Sequence, residues 1–449
     1  MASYSNFQMV FKMKKLLLCL ILFCASSSLA DSFQIIRDSE IENNLKAFME
    51  PLVKAAKLNP QNINIIILAD PSLNAFVTNG TDMFINSGLI IKFADDPNVL
   101  YGVMAHEIAH IYAGHLVHKR QEHENMSNVA MAGTVLGLAS ALAGAPDAGA
   151  FIGLGSMQSA QRGILQYSRA HETEADKIAV DLLYKTHNNG LGLIKFFQYI
   201  SQRDRSIKPD PYAITHPLSN DRIASVRNSI KDKLSQFGDN ITPQIRFEFK
   251  RMAVKLEAFL GAPDEIIRKY KNNDYALAIG YFRYGKLKQA ITLLDKVIAQ
   301  EPNNPYLWEL KGQFCFDNGI FDQANQYYQK ALKYVPNDSL IKVELAAAKI
   351  NLAKNANDTI LLNSAVSLLN QVTARQQNNI MAYFMLSLAY GKLGDQSKAI
   401  LALAEYYFYI GGYEKSRILA NKVLKMTSPT SREYLRASDI IDFAKSQKD

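Results

Sequence analysis

Ala105-His106-Glu107-Ile108-Ala109-His110 reads H-E-x-x-H. On a helix, residues four apart share a face, so His106 and His110 can present two imidazoles to one metal ion. Glu107 lies one step round and can reach a water at the metal without binding the ion itself. The flanks predict a helix. Asp96 suits the N-cap and Pro97 the first turn. Val99, Leu100, Val103, Met104 and Ile111 then recur at helical spacing and give the face that buries. The pattern alone arises by chance in roughly one chain in a hundred, so the other ligands must decide its meaning.

A zinc hydrolase commonly uses two histidines and one carboxylate, with a fourth position left for water. Residues 168–185, SRAHETEADKIAVDLLYK, predict a second helix on which Glu172 and Asp176 share a face. Glu172 fits the third ligand. Asp176 fits an acceptor that holds a ligating imidazole in one tautomer. Glu174 points to another face and is the rival ligand, and His171 is expected to be exposed. Further on, Ile214-Thr215-His216-Pro217-Leu218 places a histidine before a proline. Such a residue is held extended and projects from a loop. His216 can act catalytically by stabilising the oxyanion, close the site as an extra ligand, or merely bond to backbone. Arg222, in the following helix, can neutralise Asp176 or Glu172, or bind substrate. His115, His118 and His123 read as structural or surface residues, because His115 is five positions past His110 and does not share its face.

Outside these helices, the chain of 449 residues is ordinary globular material, 48% hydrophobic and 20% charged, with room for two cores. Lys12, Lys14 and Lys15 precede the apolar run Leu16–Cys24, and Ser28-Leu29-Ala30 follows. A basic start, a short apolar stretch and a small-x-small end predict a secretory signal over 1–30, cut after Ala30. The apolar run is too short to span a membrane. Its removal would take three lysines from a net charge of +8, leaving a mild surplus with no basic, aromatic-laced stripe. No nucleic-acid partner is expected. Cys315 would be the one cysteine left, so no internal disulfide is expected and stability must come from packing. Export without a later span points to the periplasm.

Residues 40–57 carry a helical apolar pattern. Ile63–Leu68 is a β-rich run, and Ala75–Val77, Asn79-Gly80 and Met83–Ile85 read as strand, turn, strand. The result is a small antiparallel sheet just ahead of the metal helix. Its edge can pair with an extended peptide, or the sheet can simply support the helix. The Ala- and Gly-rich stretch 127–155 is interrupted by Pro146, and neither half reaches membrane length. It reads as a flap or a packed hairpin, with at most peripheral membrane contact.

From residue 271 a repeat of tetratricopeptide type appears. Ala290 and Ala324 are 34 apart, as are Pro302 and Pro336. Trp308, Gly312, Ala324, Tyr328, Ala331 and Pro336 fall at the characteristic positions of the second unit. A third unit carries extra residues around 355–358, and shorter units follow. The Tyr and Phe residues here are expected to be mostly core, some lining a concave groove. The fold expected is mostly α with a small antiparallel β-sheet: a metallopeptidase domain over 31–265, then an α-solenoid of repeats over 266–449.

HEIAHIYAGH, Asn74-Ala75-Phe76, SRAHETEAD and Thr215-His216-Pro217 together resemble the CAAX-prenyl-protease-like zinc metallopeptidases, in their soluble, exported branch. The resemblance covers about residues 60–230. It implies a gluzincin-type endopeptidase with one zinc ion on His106, His110 and Glu172, Glu107 as catalyst, His216 near the metal, and a loop that holds the site shut. With the repeats added, it implies chaperone-like activity in the quality control and assembly of outer-membrane β-barrel proteins. Unfolded or stalled barrels would be the substrates, and the repeat domain would contact the barrel-assembly machinery. The alternative is a mainly non-proteolytic periplasmic chaperone or scaffold that binds peptides through its repeats.

Overall fold

The computed structural model describes residues 34–78, 81–115, 169–203, 211–231, 236, 238–354 and 358–446. The expected signal, His118, His123 and the Ala/Gly-rich stretch 127–155 lie outside them. The described chain divides into two compact units between Ile266 and Ile267.

The first unit is built on a four-stranded sheet, β1 (Ile35–Ile36), β2 (Asn64–Leu68), β3 (Ala75–Thr78) and β4 (Asp82–Asn86), in the order β1-β2-β4-β3. β1 and β2 are antiparallel, as are β3 and β4, but β2 and β4 run parallel, Asn64 beside Asp82 and Leu68 beside Asn86. The sheet is therefore mixed rather than antiparallel throughout. After β2 the chain steps outward past one strand position to lay down β3, and the turn back fills the gap with β4, which must then run with β2. The outward step is pinned: Asp70 accepts from Ser72 N, and Asp70 O accepts from Gly88 N and Ser87 Oγ. Alternation splits the residues between the two faces. Ile65, Ile67, Ala75, Val77, Met83 and Ile85 join the main core, while Phe76 and Phe84 stack on the other face at 5.0 Å. β3 is the outer strand of this described sheet.

Around the sheet pack α1 (Ser39–Ala55), α2 (Ser87–Lys92), α3 (Pro97–Tyr112), α4 (Arg169–Lys185), α5 (Leu191–Arg203), α6 (Pro211–Thr215), α7 (Asn220–Lys231) and α8 (Pro243–Leu260). α3 carries the H-E-x-x-H stretch and is buried on every side from Pro97 to His110, not along one face. Asp96 holds the N-cap position, yet its carboxylate makes no cap bond and pairs with Lys195 Nζ at 2.5 Å. α3 and α5 cross closely enough that neither Gly102 nor Gly192 has room for a Cβ. At Gly102 it would lie 2.6 Å from Leu193 N, and at Gly192 it would overlap the Asn98 carbonyl. The start of α3 is tied to the segment after α4 by Asn188, whose side-chain amide donates to Asn98 and Asn240 at 2.8 Å each. Behind the sheet, buried Lys255 of α8 pairs with Asp38 at 2.7 Å and Glu40 at 3.2 Å, joining the N-terminus of α1 to α8.

After α9 (Pro263–Lys269) the second unit is five helical pairs: α10 (Asp274–Arg283) with α11 (Leu287–Gln300), α12 (Pro305–Asp317) with α13 (Phe321–Tyr334), α14 (Ser339–Leu352) with α15 (Thr359–Arg375), α16 (Ile380–Leu393) with α17 (Gln396–Tyr409), and α18 (Tyr413–Leu424) with α19 (Arg432–Ser446). In the second pair Gly312 lies against the Tyr328 ring, and Ala324 and Ala331 are fully buried. Trp308 Nε1 donates to Pro302 O at 2.8 Å, tying the helix start to the turn before it. Cys315 is buried, and burial pushes its thiol up to about 11. The aromatic run of the fourth pair is not core. Tyr383 stacks on Tyr409 at 5.4 Å and Phe384 meets Tyr406, but all four are only half-buried.

Candidate metal centre

Four elements bring the site together. α3 supplies His106, Glu107 and His110, and α4 supplies Glu172 and Asp176. The chain just past α6 supplies His216, and α7 supplies Arg222. All seven are buried, and His106, Glu107, Glu172 and His216 show no exposure at all. One donor atom from each of His106, His110, Glu172 and His216 lies within 4.8 Å of the other three. His106 Nε2 stands 3.1 Å from His110 Nε2 and 3.4 Å from His216 Nδ1. Glu172 closes the group at 3.0 Å from His216 Nδ1, 3.3 Å from His106 Nε2 and 3.4 Å from His110 Nε2.

These separations test whether the group suits a metal. Ligand atoms bonded to one ion at about 2.0–2.1 Å stand about 3.3 Å apart in a tetrahedron. The separations of 3.0–3.4 Å, counted to either Glu172 oxygen, are compatible with ligands gathered round one ion. Charge agrees. With the imidazoles neutral, as ligation would require, and Glu107 ionised, three buried carboxylates face one guanidinium, a surplus that a divalent cation would balance. Glu107 adds a third sign: neither carboxylate oxygen has a hydrogen-bond partner among the described residues, and His216 Nε2 lies 3.5 Å away.

Around this set are the groups that orient it. Asp176 Oδ1 lies 3.1 Å from His106 Nδ1. Arg222 grips Asp176 through two nitrogens at 2.7 and 2.8 Å, reaches Glu172 at 2.8 Å and donates to Pro217 O at 2.8 Å. Arg222 thus pairs with both carboxylates, and its bond to Pro217 O secures the backbone beside His216. His216 does not project from an extended loop. It follows the single turn of α6, its N–H donating to Tyr212 O at 2.8 Å, and its ring stacks on Tyr212 at 4.5 Å. Phe197 of α5 meets the His106 ring edge-on at 5.9 Å and carries Arg222 over its face at 5.3 Å.

Burial and neighbours sort the titrations. Burial pushes the Glu107 carboxyl up to about 7, against the pull of His216 and His106. Burial opposes charge on His106, but Asp176 and Glu172 outweigh it and hold the imidazole up at about 10. Burial drives His110 well below the usual histidine range. Glu172 would rise on burial, yet His216, His106 and His110 hold it well below the usual carboxylate range.

Glu174, the rival to Glu172, is not in the group. Its side chain is 60% exposed and meets His115 Nε2 at 3.2 Å. His171, expected at the surface, is half-buried and stacks on His115 at 4.4 Å. His115 is buried, with Nδ1 2.9 Å from His110 Nδ1. Reading it as off the His110 face assumed a continuing helix. α3 ends at Tyr112, and Gly114 at φ 65° turns the chain so that His115 folds back. The glycine after the last periodic residue was the signal. Tyr212 and Phe197, which pack the rings, carried no such signal.

Residues 39–230 match the profile of peptidase family M48, and residues 270–339 match that of a tetratricopeptide repeat. The chain is similar to the "Beta-barrel assembly-enhancing protease" of Yersinia pestis, 23% identical over 83% of this chain and 77% of the relative. It is similar to the protein of that name from Escherichia coli (strain K12), 21% identical over 92% of this chain and 85% of the relative. "Metalloprotease YcaL" of the same strain is 22% identical over 43% of this chain and 74% of the relative. No described helix is long and apolar enough to cross a membrane.

Proposed function

We propose, from the premise that residues 39–230 are a metallopeptidase domain of family M48, that this chain is a zinc-dependent endopeptidase of the periplasm that acts on unfolded or stalled outer-membrane β-barrel proteins. The observation that carries the reading is the convergence of His106, His110, Glu172 and His216 beside a buried Glu107 that has no hydrogen-bond partner among the described residues. The proposed organisation is a signal over 1–30, the peptidase over 31–265 and the repeats over 266–449. The relatives' names supply the link to barrel assembly, and the repeats supply a surface for holding proteins. Chaperone-like activity and contact with the barrel-assembly machinery belong to the proposal.

His106, His110 and Glu172 would hold the ion. A bound zinc supplies Lewis acidity, which brings water deprotonation toward neutral pH and offsets charge on the carbonyl oxygen. Glu107 takes the proton of the attacking water and passes it to the leaving amine. Burial raises its pKa and a bound cation would lower it again, and a carboxyl so placed can take and return a proton near neutral pH. Asp176 keeps His106 protonated on Nδ1, so that Nε2 faces the ion. His216 sits within the donor group at rest and keeps the site closed; on swinging out it can serve the oxyanion. β3, packed against α3 as the outer strand, offers an edge to an extended peptide.

Metal analysis of purified protein tests the reading: about one zinc per chain in the wild type, lost in His110→Ala together with cleavage. Full zinc content in that variant would reject the ligand set. The second reading, mainly a chaperone or scaffold, is favoured by the closed His216 position and the length of the repeat unit. A truncation after residue 265 that fails in a barrel-assembly assay, while a cleavage-dead full chain assembles normally, would make that reading primary.

A further inference from the structure

We propose that His115 and Glu174 form a relay that fixes the tautomer of His110 and thereby sets how tightly the centre holds its metal. This rests on His110 being a ligand, as proposed above.

His110 turns Nε2 toward His106 Nε2 at 3.1 Å and Glu172 at 3.4 Å. Its other nitrogen, Nδ1, lies 2.9 Å from His115 Nδ1. Two imidazole nitrogens at that distance share one proton, so one donates and the other accepts. A ligating Nε2 must offer its lone pair, which puts the His110 proton on Nδ1 and makes His115 Nδ1 the acceptor. His115 must then carry its own proton on Nε2. That atom lies 3.2 Å from Glu174 Oε2, and a carboxylate can only accept. The sense of the chain is therefore set from its outer end: Glu174 selects the His115 tautomer, His115 selects that of His110, and His110 Nε2 is left free for the ion. His171, stacked on His115 at 4.4 Å, holds the ring in its plane.

The two histidines of α3 are thus oriented differently. His106 leans directly on buried Asp176, itself clamped by Arg222. His110 leans on an imidazole whose anchor is 60% exposed. His115 and Glu174 touch neither substrate nor ion; they are positioning residues. Loss of such an outer partner costs a metal site roughly 10–100-fold in affinity.

The test is zinc affinity by chelator competition on the full chain, with the visible spectrum of the cobalt(II)-loaded protein as a second readout. His115→Ala is expected to lose affinity about 10–100-fold and to shift the cobalt bands. His115→Asn, whose Oδ1 restores an acceptor at the place of Nδ1, should recover much of it. Glu174→Ala is a surface change that leaves the unfolding temperature of the metal-free protein unchanged, yet it should weaken zinc by about tenfold. Wild-type affinity and spectrum in both His115→Ala and Glu174→Ala would overturn the relay. A wild type that takes up no zinc, or a His110→Ala variant that binds it normally, is a different result: it overturns the ligand assignment, and the relay with it.

Discussion

Glu107→Gln is expected to cut hydrolysis of an unfolded barrel substrate by about 10²–10⁴-fold while leaving zinc content at the wild-type level. The two side chains are nearly the same size, and Glu107 has no hydrogen-bond partner among the described residues for the amide to disrupt. The change removes one thing, a group that can take and return a proton. The pH profile provides the second half of the prediction. Burial holds Glu107 up at about 7 in the metal-free site, and a cation beside it draws that value down. A base works only when ionised, so wild-type activity falls as pH drops through the Glu107 pKa. This acid limb should have its midpoint at or below about pH 7 and vanish in the Gln variant. A Gln variant that keeps both rate and limb would show that the proton moves by another route.

The largest loss of stability is expected from Arg222→Met. The guanidinium faces Asp176 through two nitrogens and Glu172 through a third, all buried. Methionine fills part of the space but leaves two buried carboxylates without their cation. Removing one partner of a buried ion pair costs about 3–5 kcal/mol, and here the partner is shared. The sign with pH follows from the carboxylates. Burial raises Asp176, but Arg222 and His106 outweigh it and hold it below its usual value; Glu172 is likewise depressed. Depressed carboxylates contribute stability that is full above their unfolded pKa of about 4 and lost as pH falls through the folded values. The gap between variant and wild type should therefore hold from neutrality down to about pH 4 and narrow below it, as pH falls through the folded values. Chemical denaturation of metal-free protein at several pH values measures it, and a constant gap would assign Arg222 to packing alone.

Much of this was legible in the sequence, for identifiable reasons. Helical spacing marked α3 and α4, a β-rich run marked β2, a strand-turn-strand pattern marked β3 and β4, and a spacing of 34 marked the repeats. The pairing of His106 with His110 followed from spacing, Glu172 was preferred over Glu174 as the third ligand, and His216 near the metal was implied by the family resemblance. What stayed hidden was non-local. The parallel pairing of β2 with β4 depends on which gap the chain fills last. The burial of α3 on all sides depends on α5, which only the small residues Gly102 and Gly192 foreshadow. The place of His216 depends on one helical turn too short to leave a periodic trace. The contact of His115 with His110 was hidden for a local reason, since Gly114 ends the helix and folds His115 back. Half-burial of Tyr383 and Tyr409 could not be read at all, because an aromatic pattern looks alike in a core and on a groove wall.

The crossing of α3 and α5 carries one more consequence. Backbone there touches backbone, so a single added methyl at position 102 or 192 has nowhere to go and must lever the two rods apart at a point between the catalytic residues and their scaffold. Such variants should melt the first unit at a lower temperature, while the tandem-helix unit, compact in its own right, keeps its own unfolding transition.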